Sequence, residues 1–340
     1  MHPAVRRLER YLTRNIDGTL FGIVLTLLVV GLLVLVSASN LNAARVTGQV
    51  ANILIALGVL WLFANVPPHY LMRLALPLYV LGVLLLVTVA LFGEVSHGAR
   101  RWLDFGVTRI QPSEFMKIAV PLALAWYFDR HEKTLGLANY AVAVVMLMVP
   151  VALILKQPDL GTAVLITASG FFVLFLAGLS WRVIVGLGVA VAAALPFVWS
   201  VLHDYQKQRI LTLIDPSQDP LGAGYHTIQS MIAVGSGGWF GKGWLNGSQT
   251  HLDFIPERTT DFVFAVFAEE FGLLGCVLLL GLYLAALSRC MLITANAPTM
   301  FTRLLCGAIT LTFFTYTFVN MGMVSGILPV VGVPLPFISY

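Results

Sequence analysis

The chain has 340 residues, of which 59% are hydrophobic and 11% charged, with a formal net charge of +4 and a mean hydropathy of +0.89. Soluble domains are about 45–50% apolar and about 25% charged, and too little polar surface is present here to cover a water-soluble globule. Composition excludes a cytosolic enzyme, a disordered chain and a disulfide scaffold. The absence of any Lys/Arg-rich block gives no support to nucleic-acid binding. What remains is an all-α polytopic membrane protein.

A membrane-spanning helix needs about 20 mostly apolar residues. Such runs occur at 18–37, 46–66, 72–92, 113–128, 139–155, 160–180, 183–201, 262–287 and 303–327. A further apolar run begins near Val333 and stops at Tyr340. Nine complete spans and the beginning of a tenth are predicted. The first run exceeds the apolar core of a signal peptide, about 7–15 residues, and reads as a retained span. With the N-terminus in the cytoplasm, ten cations lie inside: Arg6, Arg7, Arg10, Arg14, Arg73, Arg130, Lys133, Arg182, Arg289 and Arg303. The short outer loops hold five: Arg45, Arg100, Arg101, Arg109 and Lys156. The excess inside favours that orientation. Arg100, Arg101 and Arg109 cluster in one outer loop, which is either a tolerated exception or an anion site.

The long segment 202–260 faces outward in this topology. Asp215-Pro216 and Asp219-Pro220 are turn chemistry. Tyr225, Ile228, Met231 and Ile232 recur at helical spacing and predict a short amphipathic helix lying in the interface. The glycine-rich stretch from Gly235 to Trp244 fits neither a phosphate loop nor a dinucleotide fingerprint, because Ser236, Phe240 and Gly243 stand at required positions. Its glycines read as close packing against the membrane surface, with Trp239 and Trp244 as interfacial anchors. Cys276, Cys290 and Cys306 read as small hydrophobes, and the scattered histidines predict no histidine-ligated metal. No internal repeat or matched pair of broken helices suggests a transporter.

Ionisable groups are expensive within a bilayer and mark candidate sites. Pro112-Ser113 fits a helix start. Glu114 and Lys117, three residues apart, share a face and can pair, either to neutralise a helix end or to line a cavity. Asp159, in a tight turn before the sixth span, is a helix cap or a site residue. Asp261 enters the eighth span and could be an N-cap or a functional acid. Glu269 and Glu270 cannot both share its face, and a structural role is favoured for them. Glu114, Lys117, Asp159, Asp261 and the outer arginines all lie at outer helix ends and could line one outward cavity. Carboxylates beside cations suit phosphate-linked chemistry: a carboxylate accepts a hydroxyl proton, while cations or a carboxylate-held Mg²⁺ offset a leaving phosphate.

In order along the chain, Gly98-Ala99-Arg100-Arg101-Trp102-Leu103, Gln111-Pro112-Ser113-Glu114 with Lys117, Gln157-Pro158-Asp159-Leu160-Gly161-Thr162, Asp219-Pro220-Leu221-Gly222-Ala223-Gly224-Tyr225-His226, Gly241-Lys242-Gly243, Pro256-Glu257-Arg258 with Thr260-Asp261-Phe262, and the run from Gly326 to Pro336 resemble the SEDS family of shape, elongation, division and sporulation proteins. Gly222 to His226 and Gly241 to Trp244 look like its elongation, rod-shape determining branch. The resemblance implies a bundle of ten transmembrane helices; the family's tenth helix continues past Tyr340. It implies a peptidoglycan glycosyltransferase of the bacterial inner membrane, with its site facing outward, that joins lipid II into β-1,4 glycan strands and releases undecaprenyl diphosphate. Asp261 then matches the family's essential acid, as general base or as ligand of a divalent cation, Mg²⁺ or Mn²⁺. Arg100, Arg101 and Lys117 would offset the diphosphate, Glu114 would orient Lys117, and Asp159 would join the substrate site. The implied partners are a class B penicillin-binding protein transpeptidase and other rod-complex membrane proteins. The competing classes are a lipid II flippase and a non-catalytic scaffold.

Overall fold

The computed structural model describes residues 14–96, 99–104, 109–157, 159–201 and 223–340 apart from 252, 253 and 256, together with 207 and 211. Each of the nine apolar runs coincides with a helix: α1 Gly18–Ala38, α2 Ala43–Ala64, α3 Pro68–Phe92, α4 Pro112–Arg130, α5 Leu137–Lys156, α6 Leu160–Leu176, α7 Trp181–Val201, α10 Val263–Ala295 and α11 Met300–Val324. Between α7 and α10 lie α8, Ala223–Ser236, and the single turn α9, Ser248–His251. The helices start where local chemistry allows. Asp17, Asn42 and Asp159 cap α1, α2 and α6 through their side chains, filling orphan N–H groups. Pro68 and Pro112 open α3 and α4, where a missing N–H does no harm.

Among the described residues, six helices are long and apolar enough to cross a membrane: α1, α2, α3, α5, α10 and α11. In α2 no residue is buried by protein, yet Leu54 and Ile55 are apolar and exposed. Such a helix is stable only where lipid is its solvent. The chain is an all-α polytopic membrane protein with several long apolar helices.

Two features depart from the sequence reading. Among the described residues, the loop after α3 carries three short strands, β1 Glu94–Ser96, β2 Ala99–Asp104 and β3 Arg109–Ile110. They form an antiparallel meander with Val95 opposite Arg100 and Leu103 opposite Ile110. No helix is formed over 333–340. Pro334 and Pro336 supply no N–H, and the segment closes as a turn, with Ile338 and Ser339 N–H groups on the Leu335 carbonyl at 3.2 and 3.0 Å.

The chain divides into two compact units. The unit formed by Val66–Ala192 and Cys290–Thr315 has a continuous core in which Leu86, Met116, Phe128, Leu147, Ile154, Ile166 and Phe301 are fully or nearly fully buried. Lipid tails are as apolar as leucine, so this packing rests on van der Waals contact. Asp129 at the end of α4 accepts the Phe301 N–H at 2.9 Å and satisfies an orphan donor of α11.

In the unit comprising Met1–Asn65, Ala193–Arg289 and Tyr316–Tyr340, α10 is broken at Gly272, with φ 64° and ψ −165°. Only glycine takes that conformation readily. A straight helix would join the Leu273 and Leu274 N–H groups to the Glu269 and Glu270 carbonyls. They donate instead to Gly238 and Trp239 carbonyls at 2.9 and 3.0 Å. The freed carbonyls accept Lys242 and Gly243 N–H groups, each at 3.0 Å. The glycine-rich stretch is therefore built for close backbone approach to α10. A Cβ on Gly272 would stand 2.3 Å from the Gly241 nitrogen.

Candidate functional site

Asp261 lies in the turn leading into α10. The turn begins at Glu257, whose φ of 48° is left-handed and turns its carbonyl toward the Thr260 and Phe262 N–H groups, at 3.1 and 3.3 Å. The carbonyls of Thr259, Thr260 and Asp261 are each held by a different donor. Tyr340 N–H donates to Thr259 at 2.9 Å, the Ser339 hydroxyl to Thr260 at 2.6 Å, and the Asn320 amide to Asp261 at 2.8 Å. Gly332, at φ 74°, lies against the acid: a Cβ there would stand 3.4 Å from Asp261 Oδ2. His226 of α8 stacks on Phe262, the next residue, with centroids 5.7 Å apart.

The turn thus fixes the Asp261 backbone while its side chain stays half-buried. Among the described residues, the carboxylate takes no hydrogen bond from the first turn of α10, so it does not serve as the cap that its position allowed. Burial, and then the like charge of Glu257, raise its pKa above the ordinary 3.8. A carboxylate with raised proton affinity is a better proton acceptor near neutral pH.

Glu114 and Lys117 form the expected pair in the first turns of α4, with Nζ 2.6 Å from Oε1. The Lys117 side chain is 18% exposed and that of Glu114 55%, so the lysine is sheltered and the glutamate reaches out. Asp159 is engaged twice: Oδ1 accepts the Thr162 N–H at 3.3 Å, and Oδ2 accepts the Gln111 amide at 3.2 Å. Gln111 also donates to Ser113 at 2.9 Å. The start of α4, with its ion pair, is thereby tied to the start of α6. Arg100 and Arg101 lie in β2, and their side chains are outside the described residues, as is the turn-rich stretch 212–222. Asp261 belongs to one compact unit and Glu114, Lys117 and Asp159 to the other.

Glu269 is fully buried and bound to Lys242 at 2.7 Å, to the Ser248 hydroxyl at 3.2 Å and to the Gln249 N–H at 3.0 Å. Glu270 accepts the Ser37 hydroxyl of α1. Both acids serve the packing around the α10 break. Among the described residues, no group of three or more His, Cys, Asp and Glu side chains is placed to hold a metal.

The sequence reading passed over Asn320 and Ser339. A signal for Asn320 existed: it is an amide inside the apolar run 303–327, where polarity is expensive. Nothing local in the sequence points to Ser339, since its partner is 79 residues away.

The FtsW/RodA/SpoVE family of cell cycle proteins matches residues 18–340. The chain belongs to this family. A peptidoglycan glycosyltransferase MrdB of Escherichia coli is 50% identical over 327 residues, covering 96% of this chain and 88% of the relative. The MrdB of Helicobacter pylori is 36% identical over 341 residues, covering 98% and 87%. A solved structure concerned with how a peptidoglycan synthase complex coordinates polymerisation and crosslinking is similar over 95% of this chain and 91% of its own, with a TM-score of 0.81 and 35% identity. The rod shape determining protein RodA of Thermus thermophilus is similar over 95% and 90%, with a TM-score of 0.70 and 29% identity. The resemblance drawn from the motifs is confirmed.

Proposed function

We propose that this chain polymerises lipid II at the outer face of the inner membrane during cell elongation. The single observation that carries the mechanism is Asp261: a half-buried acid of raised proton affinity on a turn in which the Thr259, Thr260 and Asp261 carbonyls are each held by a donor from outside the turn. The 4-hydroxyl oxygen of one substrate's GlcNAc attacks C1 of the MurNAc at the end of a lipid-linked strand. The hydroxyl proton passes to Asp261, the β-1,4 bond forms, and the C1–phosphate bond breaks as undecaprenyl diphosphate leaves with its electron pair. Lys117 is the cation assigned to the departing charge, held by Glu114, and Arg100 and Arg101 assist at headgroup depth. Asp159 contributes by holding the start of α4 through Gln111. The alternative role for Asp261 is as ligand: Mg²⁺ takes one or two carboxylates plus substrate phosphates, and an Mg²⁺ or Mn²⁺ held by Asp261 in place of the proton would neutralise the diphosphate.

The reading includes ten helices in the intact fold, a cytoplasmic N-terminus, and residues 202–260 as an outer loop in which α8 lies along the membrane. The partner is a class B penicillin-binding protein, which crosslinks the new strand. Reconstitution tests the function. The purified chain with its transpeptidase, given lipid II, is expected to yield glycan strands and free undecaprenyl diphosphate. A protein that only moved lipid II between leaflets, or only recruited the transpeptidase, would release none.

A further inference from the structure

Asn320 is fully buried in α11. Its amide nitrogen reaches two carbonyl oxygens, those of Asp261 at 2.8 Å and Val333 at 2.7 Å. Both partners only accept, so the amide orientation is dictated by chemistry: an oxygen in that place would face two oxygens. Its own Oδ1 meets no donor among the described residues. Burying Oδ1 without a partner is unfavourable, and what offsets it is the pair of donated bonds, which an apolar side chain could not make. The donor end must therefore serve a purpose. It joins the carbonyl of Asp261 to the backbone that follows Gly332, the residue lying against the Asp261 carboxylate. Ser339 and Tyr340 hold the two preceding carbonyls independently, so two of the three bonds on the turn do not depend on Asn320.

We propose that Asn320 is a positioning residue for polymerisation, setting where the Asp261 carboxylate stands by bridging its backbone to the 332–333 segment. The inference rests on Asp261 acting as proton acceptor. A misplacement of about 1 Å in a reacting group can cost about 10²-fold in rate. Substrate binding does not need that register, so the loss falls in kcat and spares KM.

The test uses the full chain with its transpeptidase partner and purified lipid II, comparing wild type, Asp261→Ala, Asn320→Val and Asn320→Ser. Rates are expressed per lipid II-binding site, titrated separately, so that misfolded protein does not count. Asn320→Val is expected to lower kcat about 10–100-fold with KM held within about threefold. Asn320→Ser, with one donor for two acceptors, is expected to fall between Val and wild type. A purely structural role would reduce the number of binding sites and the melting temperature while leaving kcat per site unchanged, and that result overturns the proposal. If Asn320→Val does not fold, Asn320→Ser decides: a reduced kcat at constant KM supports the bridge, and a wild-type kcat overturns it. An inactive wild type, or an active Asp261→Ala, would instead overturn the underlying reading of Asp261, which these controls reveal separately.

Discussion

Lys242→Met tests how the break in α10 is held. Glu269 is 0% exposed and Lys242 29%, with 2.7 Å between them. The substitution removes the cation and retains most of the stem's volume, so a buried carboxylate loses the Lys242 charge. Breaking a buried pair from one side costs about 3–5 kcal/mol. Two features reduce that figure: Ser248 and Gln249 still donate to Glu269, and the Lys242 side is open enough for water to follow. The expected loss is about 2–3 kcal/mol. Adding Glu269→Gln removes the buried charge as well, and the double variant is expected to recover at least half of the loss. Thermal denaturation of the purified protein in detergent, followed by loss of the monodisperse species, measures both. Melting of Lys242→Met with wild type would refute the reasoning, as would a double variant no more stable than the single one.

Other consequences are equally specific. Glu257→Gln removes the like charge beside Asp261; since activity needs the deprotonated acid and falls as pH drops through its raised pKa, the acid limb of the polymerisation profile is expected to shift to lower pH. Asp17, bonded to Arg289 at 2.6 and 3.0 Å, has its pKa lowered from 3.8 to about 2. Its contribution is fully present above 3.8 and lost as pH falls toward about 2, so the gap in melting temperature between wild type and Asp17→Asn should close over that window. Glu114→Gln should change stability by less than about 1 kcal/mol, because Glu114 is 55% exposed. Swapping the charges at 114 and 117 should keep stability and abolish activity; restored activity would remove Lys117 from substrate contact.

The spans were legible because lipid imposes one rule on every residue of a run: 18–37 or 139–155 can be read without knowing any neighbour. Local chemistry was legible too. Glu114 and Lys117 pair because a helix places i and i+3 together, and Asp159 caps α6 from its own turn. What escaped was whatever depends on distant backbone. The glycines at 237–243 carry no mark of the carbonyls at 269 and 270 that they approach. Gly272 reads as an ordinary residue of a long apolar helix until its partner strand of backbone is seen. The final segment looked like a starting helix because its composition is apolar, yet its two prolines and the bonds to Thr259 and Thr260 make it a clamp on the Asp261 turn. Asp261 was singled out from its position and from the family resemblance; the donors that hold its turn were not.

The most direct measurement is lipid II polymerisation by the purified complex carrying Asp261→Ala or Asp261→Asn, with lipid II binding checked in parallel. The account predicts glycan strands from wild type and a loss of at least about 10²–10⁴-fold in both variants, with binding of lipid II and of the transpeptidase retained. Asn caps a helix about as well as Asp, so a fully active Asp261→Asn would show that shape rather than proton transfer matters at this position and would contradict the assignment of Asp261 as the proton acceptor.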